Sequence, residues 1–286
     1  MAIWVAILLG VIQGIFMFFP VSSTSHLALV QHFLISRGIE LPEPDSPEMI
    51  LFDLIVHIGT LVSIAYVFRE SLSKFISHTL LGFFEIKTGA YTPMGQLYRK
   101  LTFLGLLSVF MTGAIGFPLK AMFEQVFANP LIISGTLATT GIILWFTDHL
   151  PPRKIGLRQI GIGMAIIIGT AQAFSLMPGL SRSGMTIAFA LFAGLQRKWA
   201  AEYSFFLAIP TILGVSLLQA IEVYTLGGLT LTASVLMTAF VVSAIVGIFA
   251  LKIVIHLLYK AQFRVFSYYL WLLAAVVAYA SIQGIM

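Results

Sequence analysis

Two short polar stretches interrupt an otherwise apolar chain, and between them they hold most of the side chains that could do chemistry within it. In the first, Pro20 is followed by Ser22, Ser23, Thr24, Ser25 and His26; in the second, Pro178 and Gly179 are followed by Ser181, Arg182, Ser183 and Thr186. Each stretch sits where one apolar run ends and another begins. Serines and threonines there cap the new helix, whose first N–H groups carry partial positive charge and bind anions. Arg182 adds a planar, two-pronged donor suited to phosphate or carboxylate, and His26 can act as base or nucleophile. If the two breaks meet, they form a phosphate-sized anion site with a histidine beside it.

Plainer roles exist for the same residues. The hydroxyls cap helices whether or not a ligand binds. His26 can be a hydrogen-bonded interior histidine, and Arg182 can pair with an intramembrane acid such as Asp53. An arginine inside a bilayer costs several kcal/mol unless it is paired or lines a wet cavity, so it marks a functional site by default. Asp53 and His57 lie four apart, on one helical face. They fit a proton relay, a pair of metal ligands or a packed polar pair equally well. No metal site can be assigned from these residues.

The elements that must position these groups follow from composition. Hydrophobic residues make up 59% of the 286 and charged residues 9%, with a mean hydropathy of +1.01. Long apolar runs without strict alternation predict an all-α polytopic membrane protein rather than a β-barrel. The N-terminal run lacks the basic start and cleavage site of a signal peptide and is expected to be retained. With no cysteine, disulfides and thiol catalysis are excluded.

Ten apolar runs can be read, at about 2–20, 26–36, 50–68, 101–117, 130–149, 160–176, 184–195, 202–221, 232–255 and 266–285. The second and seventh are shorter than the ~20 residues a span requires. Each therefore pairs with the run before it as a re-entrant hairpin. Gly10, Gln13, Ser22 and Thr24 recur 159 residues later as Gly169, Gln172, Ser181 and Ser183. The expectation is one integral membrane domain over 1–286 with halves at about 1–150 and 151–286. Each half would hold one re-entrant hairpin and three transmembrane helices, related by an inverted-topology repeat with the hairpin tips at the midplane.

Charge placement supports that topology. Of the 16 Lys and Arg residues, thirteen (Lys87 among them) fall in the segments 69–100, 150–159, 196–201 and 252–265, which the topology puts on one side. The other side holds Arg37 and Lys120, along with Glu40, Glu43, Asp45 and Glu48. The positive-inside rule makes the basic side cytoplasmic and both termini external. The net charge of +5 is explained by this placement, and no nucleic-acid partner is expected.

With these residues located, "LLGVIQGIFMFFPVSSTSHL", "FDLIVHIGTL" and "AQAFSLMPGLSRSGMT" together resemble the BacA-type undecaprenyl-diphosphate phosphatase family over essentially the whole chain. The motif PGxSRSxxT is met by Pro178, Gly179, Ser181, Arg182, Ser183 and Thr186. Gln13, Pro20, Ser22, Ser23 and His26 match the first motif, but Met17 stands where the family has glutamate. The resemblance implies a bacterial inner-membrane enzyme of cell-wall lipid recycling. It would hydrolyse an isoprenoid diphosphate lipid to the monophosphate at a site opening to the periplasmic face.

His26, Ser23 and Arg182 would be catalytic, His26 or Ser23 attacking phosphorus or positioning the attacking water. Gln13, Ser22, Thr24, Gly179, Ser181, Ser183 and Thr186 would bind substrate, with Met17, Asp53 and His57 accessory. The family also implies a divalent cation, Mg²⁺ or Ca²⁺, at a site these residues do not identify. Membrane lipids are expected partners, and a second copy of the chain is a candidate partner. Met17 leaves open a lost activity, a rerouted mechanism or lipid binding without hydrolysis. A lipid-phosphate transporter or flippase using the same anion site is the alternative function.

Overall fold

The computed structural model describes residues 1–43, 46–89, 91–127, 129–227 and 231–283, without the side chains at 87, 120, 121, 123–127 and 226. Asp45 and the side chains of Lys87 and Lys120 thus lie outside the described residues. The described residues form eleven α-helices in order: α1 (Ile3–Phe16), α2 (Ser23–Ser36), α3 (Pro47–Val67), α4 (Arg69–Thr88), α5 (Pro93–Phe127) and α6 (Pro130–Asp148), then α7 (Ile162–Phe174), α8 (Arg182–Phe192), α9 (Arg197–Leu226), α10 (Ala233–Tyr259) and α11 (Arg264–Ile282). A 3₁₀ turn, Leu157–Gln159, precedes α7. Among the described residues there is no strand, only an isolated bridge between Ile155 and Leu195.

Among the described residues, six helices are long and apolar enough to cross a membrane: α3, α5 over Pro93–Leu119, α6, α9 over Arg197–Thr225, α10 and α11. These are the six spans expected from the apolar runs. The helices flanking the two polar breaks have 14, 14, 13 and 11 residues, all below the ~20 a span takes.

One expectation is corrected. Residues 69–100 do not form a loop, because Arg69–Thr88 folds as α4 and α5 already begins at Pro93. Polar residues break the apolar ones of α4 into short pieces, the longest being residues 80–84, and Ile76, Leu80 and Phe84 are exposed on one face. Such spacing makes an amphipathic helix without making a contiguous apolar run. The spans α5 and α9 also exceed their apolar runs and continue through Pro118 and Pro210. Each proline removes one backbone donor without ending its helix.

The chain divides into two compact units, Met1–Val67 with Ala208–Leu257, and Phe68–Leu207 with Leu258–Met286. In the first, Val5, Leu9, Phe52, Val56 and Ala239 share one buried core. Small residues bring its helices together, as in lipid-embedded bundles generally. A Cβ on Gly10 would lie 3.1 Å from the Ala239 carbonyl oxygen of α10. Ser63 Oγ donates to Ala244 O at 2.7 Å and Ser243 Oγ to Val56 O at 3.2 Å, tying α3 to α10.

In the second unit Gly169 plays the part that Gly10 plays in the first. A Cβ there would lie 2.5 Å from Ser108 O of α5. The helices α6 and α11 pack along each other, with Trp271 Nε1 donating to Ala138 O at 3.3 Å. The basic segments also meet here. Arg197 donates to Thr147 O at 2.8 Å and Leu258 O at 3.4 Å, and its guanidinium lies 3.8 Å from Asp148 Oδ1. Asp148 Oδ2 accepts the Arg264 N–H at 2.7 Å. Lys100 Nζ reaches Arg158 O at 3.3 Å, Gln196 Nε2 reaches Lys154 O at 3.2 Å, and Ser71 Oγ reaches Glu202 at 3.5 Å.

Candidate functional site

The first break lies within the first unit. Helix α1 ends at Phe16 with Met17 as its C-cap, and α2 begins at Ser23 behind Ser22 as its N-cap. Ser22 has φ +68°, a left-handed conformation that costs a residue with a Cβ roughly 1–2 kcal/mol. Its Oγ lies 3.1 Å from Ser25 Oγ. Its carbonyl oxygen meets His26 Nδ1 at 2.7 Å. A carbonyl oxygen can only accept, so Nδ1 carries the proton and a neutral imidazole keeps its lone pair on Nε2. The Phe16 ring stacks on the imidazole, with centroids 4.0 Å apart and planes at 22°.

Met17 is buried between two donors. Gln13 Nε2 approaches its sulfur at 3.6 Å and Ser23 Oγ at 4.0 Å. Gln13 is fully buried, and its Oε1 has no hydrogen-bond partner among the described residues. Thr24 is exposed, so Ser25 rather than Thr24 joins Ser22. On α3, His57 Nδ1 donates to the Asp53 backbone carbonyl at 2.6 Å. One Asp53 carboxylate oxygen is buried and makes no hydrogen bond among the described residues.

The second break lies within the second unit and is held from the side by α6. Gly179 has φ +86°, and a Cβ there would collide with the Thr136 side chain. Thr136 Oγ1 donates to Pro178 O at 2.6 Å and Thr140 Oγ1 to Gly179 O at 2.9 Å. Two carbonyls of the turn are thereby satisfied without water, and the turn is fixed in place. Ser181 then caps α8, its Oγ accepting the Gly184 N–H at 3.2 Å. Ser183 Oγ lies 3.4 Å from Ser181 Oγ. Thr186 Oγ1 donates to Arg182 O at 2.9 Å and also bonds Ser204 of α9. Arg182 opens α8, half-buried, in its first turn. Gln172, 159 residues after Gln13, donates to Thr112 Oγ1 of α5 at 3.0 Å.

Sequence reasoning missed Thr136, Thr140, Phe16 and Ser204. In an apolar helix a threonine is unremarkable until its neighbour is known, and only the packing of α6 against α8 identifies the acceptors.

Comparison with known proteins bears on this arrangement directly. The family model described as "Bacitracin resistance protein BacA" matches residues 6–276. The chain belongs to the BacA family. Curated BacA-like relatives carry the name undecaprenyl-diphosphatase. The protein of Halorhodospira halophila is 59% identical over 278 residues, covering 97% of each chain. That of Alkalilimnicola ehrlichii is 59% identical over 279 residues, covering 97% of this chain and 96% of its own. That of Alkaliphilus metalliredigens is 34% identical over 273 residues, covering 95% and 96%. With six candidate spans, this BacA member is a multi-pass membrane protein.

The donor set of the first break bears on the metal that the BacA resemblance implies. Gln13, Met17, Ser22, Ser23 and His26 offer an amide, a thioether, hydroxyls and an imidazole, but no carboxylate. Among the described residues no group of three or more His, Asp or Glu gathers to hold an ion. Mg²⁺ and Ca²⁺ favour oxygen ligands rich in carboxylate. The residues present do not fit such an ion.

Proposed function

We propose that this protein hydrolyses undecaprenyl diphosphate to the monophosphate carrier lipid and inorganic phosphate, releasing the carrier for cell-wall synthesis at the bacterial inner membrane. The full-length family match and the shared name of the relatives support the reaction. The observation that carries the residue assignment is the His26 Nδ1 contact with Ser22 O, which leaves the lone pair on Nε2. We assign the attack on the terminal phosphorus to Nε2, with Ser23 activated by His26 as the alternative nucleophile. The bond to the bridging oxygen breaks, that oxygen leaves on the lipid monophosphate, and one water completes release of phosphate. Arg182 and the N–H groups at the start of α8 would neutralise the phosphoryl oxygens, where most phosphoryl-transfer catalysis resides. Gln13, Ser22, Ser181, Ser183 and Thr186 would bind and orient the diphosphate.

The same reading includes two re-entrant hairpins in an inverted repeat, both termini outside and a periplasmic opening. Its support is the matched use of Gly10 against α10 and Gly169 against α5, and the meeting of the basic segments around Arg197. A homodimer belongs to the reading too and is checked by detergent-corrected light scattering. The transporter alternative draws no support from the family or from the relatives' names.

The deciding experiment measures phosphate release from undecaprenyl diphosphate by the purified chain, by Met17→Glu and by His26→Ala, with Mg²⁺, with Ca²⁺ and with chelator. Release by the native chain or by Met17→Glu, abolished by His26→Ala, is expected. Full turnover by His26→Ala would sink the assignment. Silence of both the native chain and Met17→Glu would sink the hydrolysis itself. Chelator resistance would match the carboxylate-free donor set, while strict dependence would mean that the diphosphate brings the ion.

A further inference from the structure

Away from both breaks, a groove of about 790 Å³ opens between α4, the start of α5 and the 3₁₀ turn. Its polar end is cationic: Arg99, Lys100 and Arg158 line it, and no acid among the described residues does. Its other end is apolar, with Phe83 49%, Phe103 60% and Leu106 60% exposed. Arg99, Phe103 and Leu106 follow at i, i+4 and i+7, so they share one face of α5. The cations therefore head an apolar stripe on a helix long and apolar enough to cross a membrane.

The cations are held in place rather than spread on flexible stems. Arg99 Nη1 donates to Gly82 O of α4 at 3.2 Å, with its guanidinium 6.0 Å from the Tyr91 ring centroid. Lys100 Nζ donates to Arg158 O at 3.3 Å, which draws the 3₁₀ turn to the groove. Glu85, the acid closest in sequence to Phe83, is buried, accepts from Thr92 Oγ1 at 2.6 Å and is not part of the lining. The exposed stripe of Ile245 and Phe249 on α10 meets a single cation, Lys252, rather than a cluster of three.

We propose that this groove binds an anionic membrane phospholipid, its phosphate on Arg99, Lys100 and Arg158 and one acyl chain along Phe103 and Leu106. Charge complementarity selects an anionic headgroup over a zwitterionic one, because basic pockets between membrane helices bind anionic headgroups. The exposed stripe selects a lipid over free phosphate.

The absence of cysteine from the chain makes the test direct. The full-length protein carrying Leu106→Cys, labelled with bimane, is placed in phosphatidylcholine vesicles containing about 10 mol% of either brominated phosphatidylglycerol or brominated phosphatidylcholine. Phe249→Cys with the same label serves as the reference position. At position 106, brominated phosphatidylglycerol is expected to quench several-fold more than brominated phosphatidylcholine, and at position 249 the two should quench alike. Adding Arg99→Gln, Lys100→Gln and Arg158→Gln together should erase the difference at 106 while leaving position 249 unchanged, which also reports that the fold survives. Equal quenching by both lipids at 106, or an undiminished preference in the triple variant, would overturn the proposal. So would displacement of brominated phosphatidylglycerol by undecaprenyl phosphate at a lower mole fraction than by unlabelled phosphatidylglycerol. That result would give the groove to a polyprenyl phosphate instead.

Discussion

Gln13 Nε2 and Ser23 Oγ both approach the Met17 sulfur, at 3.6 and 4.0 Å, and a thioether accepts such bonds only weakly. A carboxylate at position 17 would take both as charge-assisted bonds and draw the proton of Ser23 toward itself. Met17→Glu is therefore expected to raise kcat for diphosphate hydrolysis by roughly 100-fold, the lower range of general acid–base contributions, measured by phosphate release. The same change puts a charge where Met17 is 7% exposed and should lower the Tm in detergent. Arg182 offers the opposite case. Arg182→Lys keeps the charge and loses the planar fork. We expect kcat/KM to fall by roughly 10- to 150-fold, the equivalent of ~1.5–3 kcal/mol for a hydrogen bond to a charged group. Unchanged turnover would remove Arg182 from the phosphate clamp.

At the scale of elements, the second break depends on α6. Replacing Thr136 with valine strips the Pro178 carbonyl of its 2.6 Å donor, and leaving a buried carbonyl unsatisfied costs about 1–3 kcal/mol. Thr136→Val should lower the Tm and reduce kcat, and Thr136→Ser should restore both, because serine keeps the donor. Loss of activity in both variants would point to shape rather than the hydrogen bond. The spans themselves were legible in the sequence, because a bilayer demands contiguous apolar length and six runs supply it. The breaks were legible too, since Pro20, Ser22, Pro178, Gly179 and Arg182 are conspicuous in greasy surroundings. Helix α4 was not, because Ser77, His78 and Thr79 part Ile76 from the apolar residues 80–84, and Glu85 ends that stretch at five residues, far short of a span. Nor were Thr136 and Thr140 legible as supports, since their acceptors lie 42 and 39 residues away. The conformation of Ser22, with φ +68°, also escaped, because serine gives no hint of a left-handed backbone.

At the scale of the molecule, the ends of α6, α9, α10 and α11 converge on one ion pair. The Asp148 side chain is only 3% exposed and that of Arg197 20%, so removing either partner strands a charge with little water. Breaking such a buried pair typically costs about 3–5 kcal/mol. Arg197→Met is expected to lower the Tm markedly in detergent while leaving KM for the diphosphate unchanged at low temperature. Arg197→Met with Asp148→Leu should regain part of the loss, because the stranded carboxylate is gone. A KM that rises in the single variant would mean that this cluster reaches the substrate and is not purely structural.

The partnership of α6 with α11 also fixes an order of events during synthesis. The Asp148 carboxylate receives the Arg264 N–H from 116 positions downstream, and Ala138 O receives the Trp271 indole from 133. At ribosomal rates of about 5–20 residues per second, the end of α6 waits roughly 6–23 s before its partner's first turn exists. During that interval the Ala138 carbonyl and the Asp148 carboxylate stand in the nascent chain without the α11 donors that later bond them. A chain halted before α11 would leave that face of α6 open to lipid, so α6 finds these partners only once α11 follows it into the membrane.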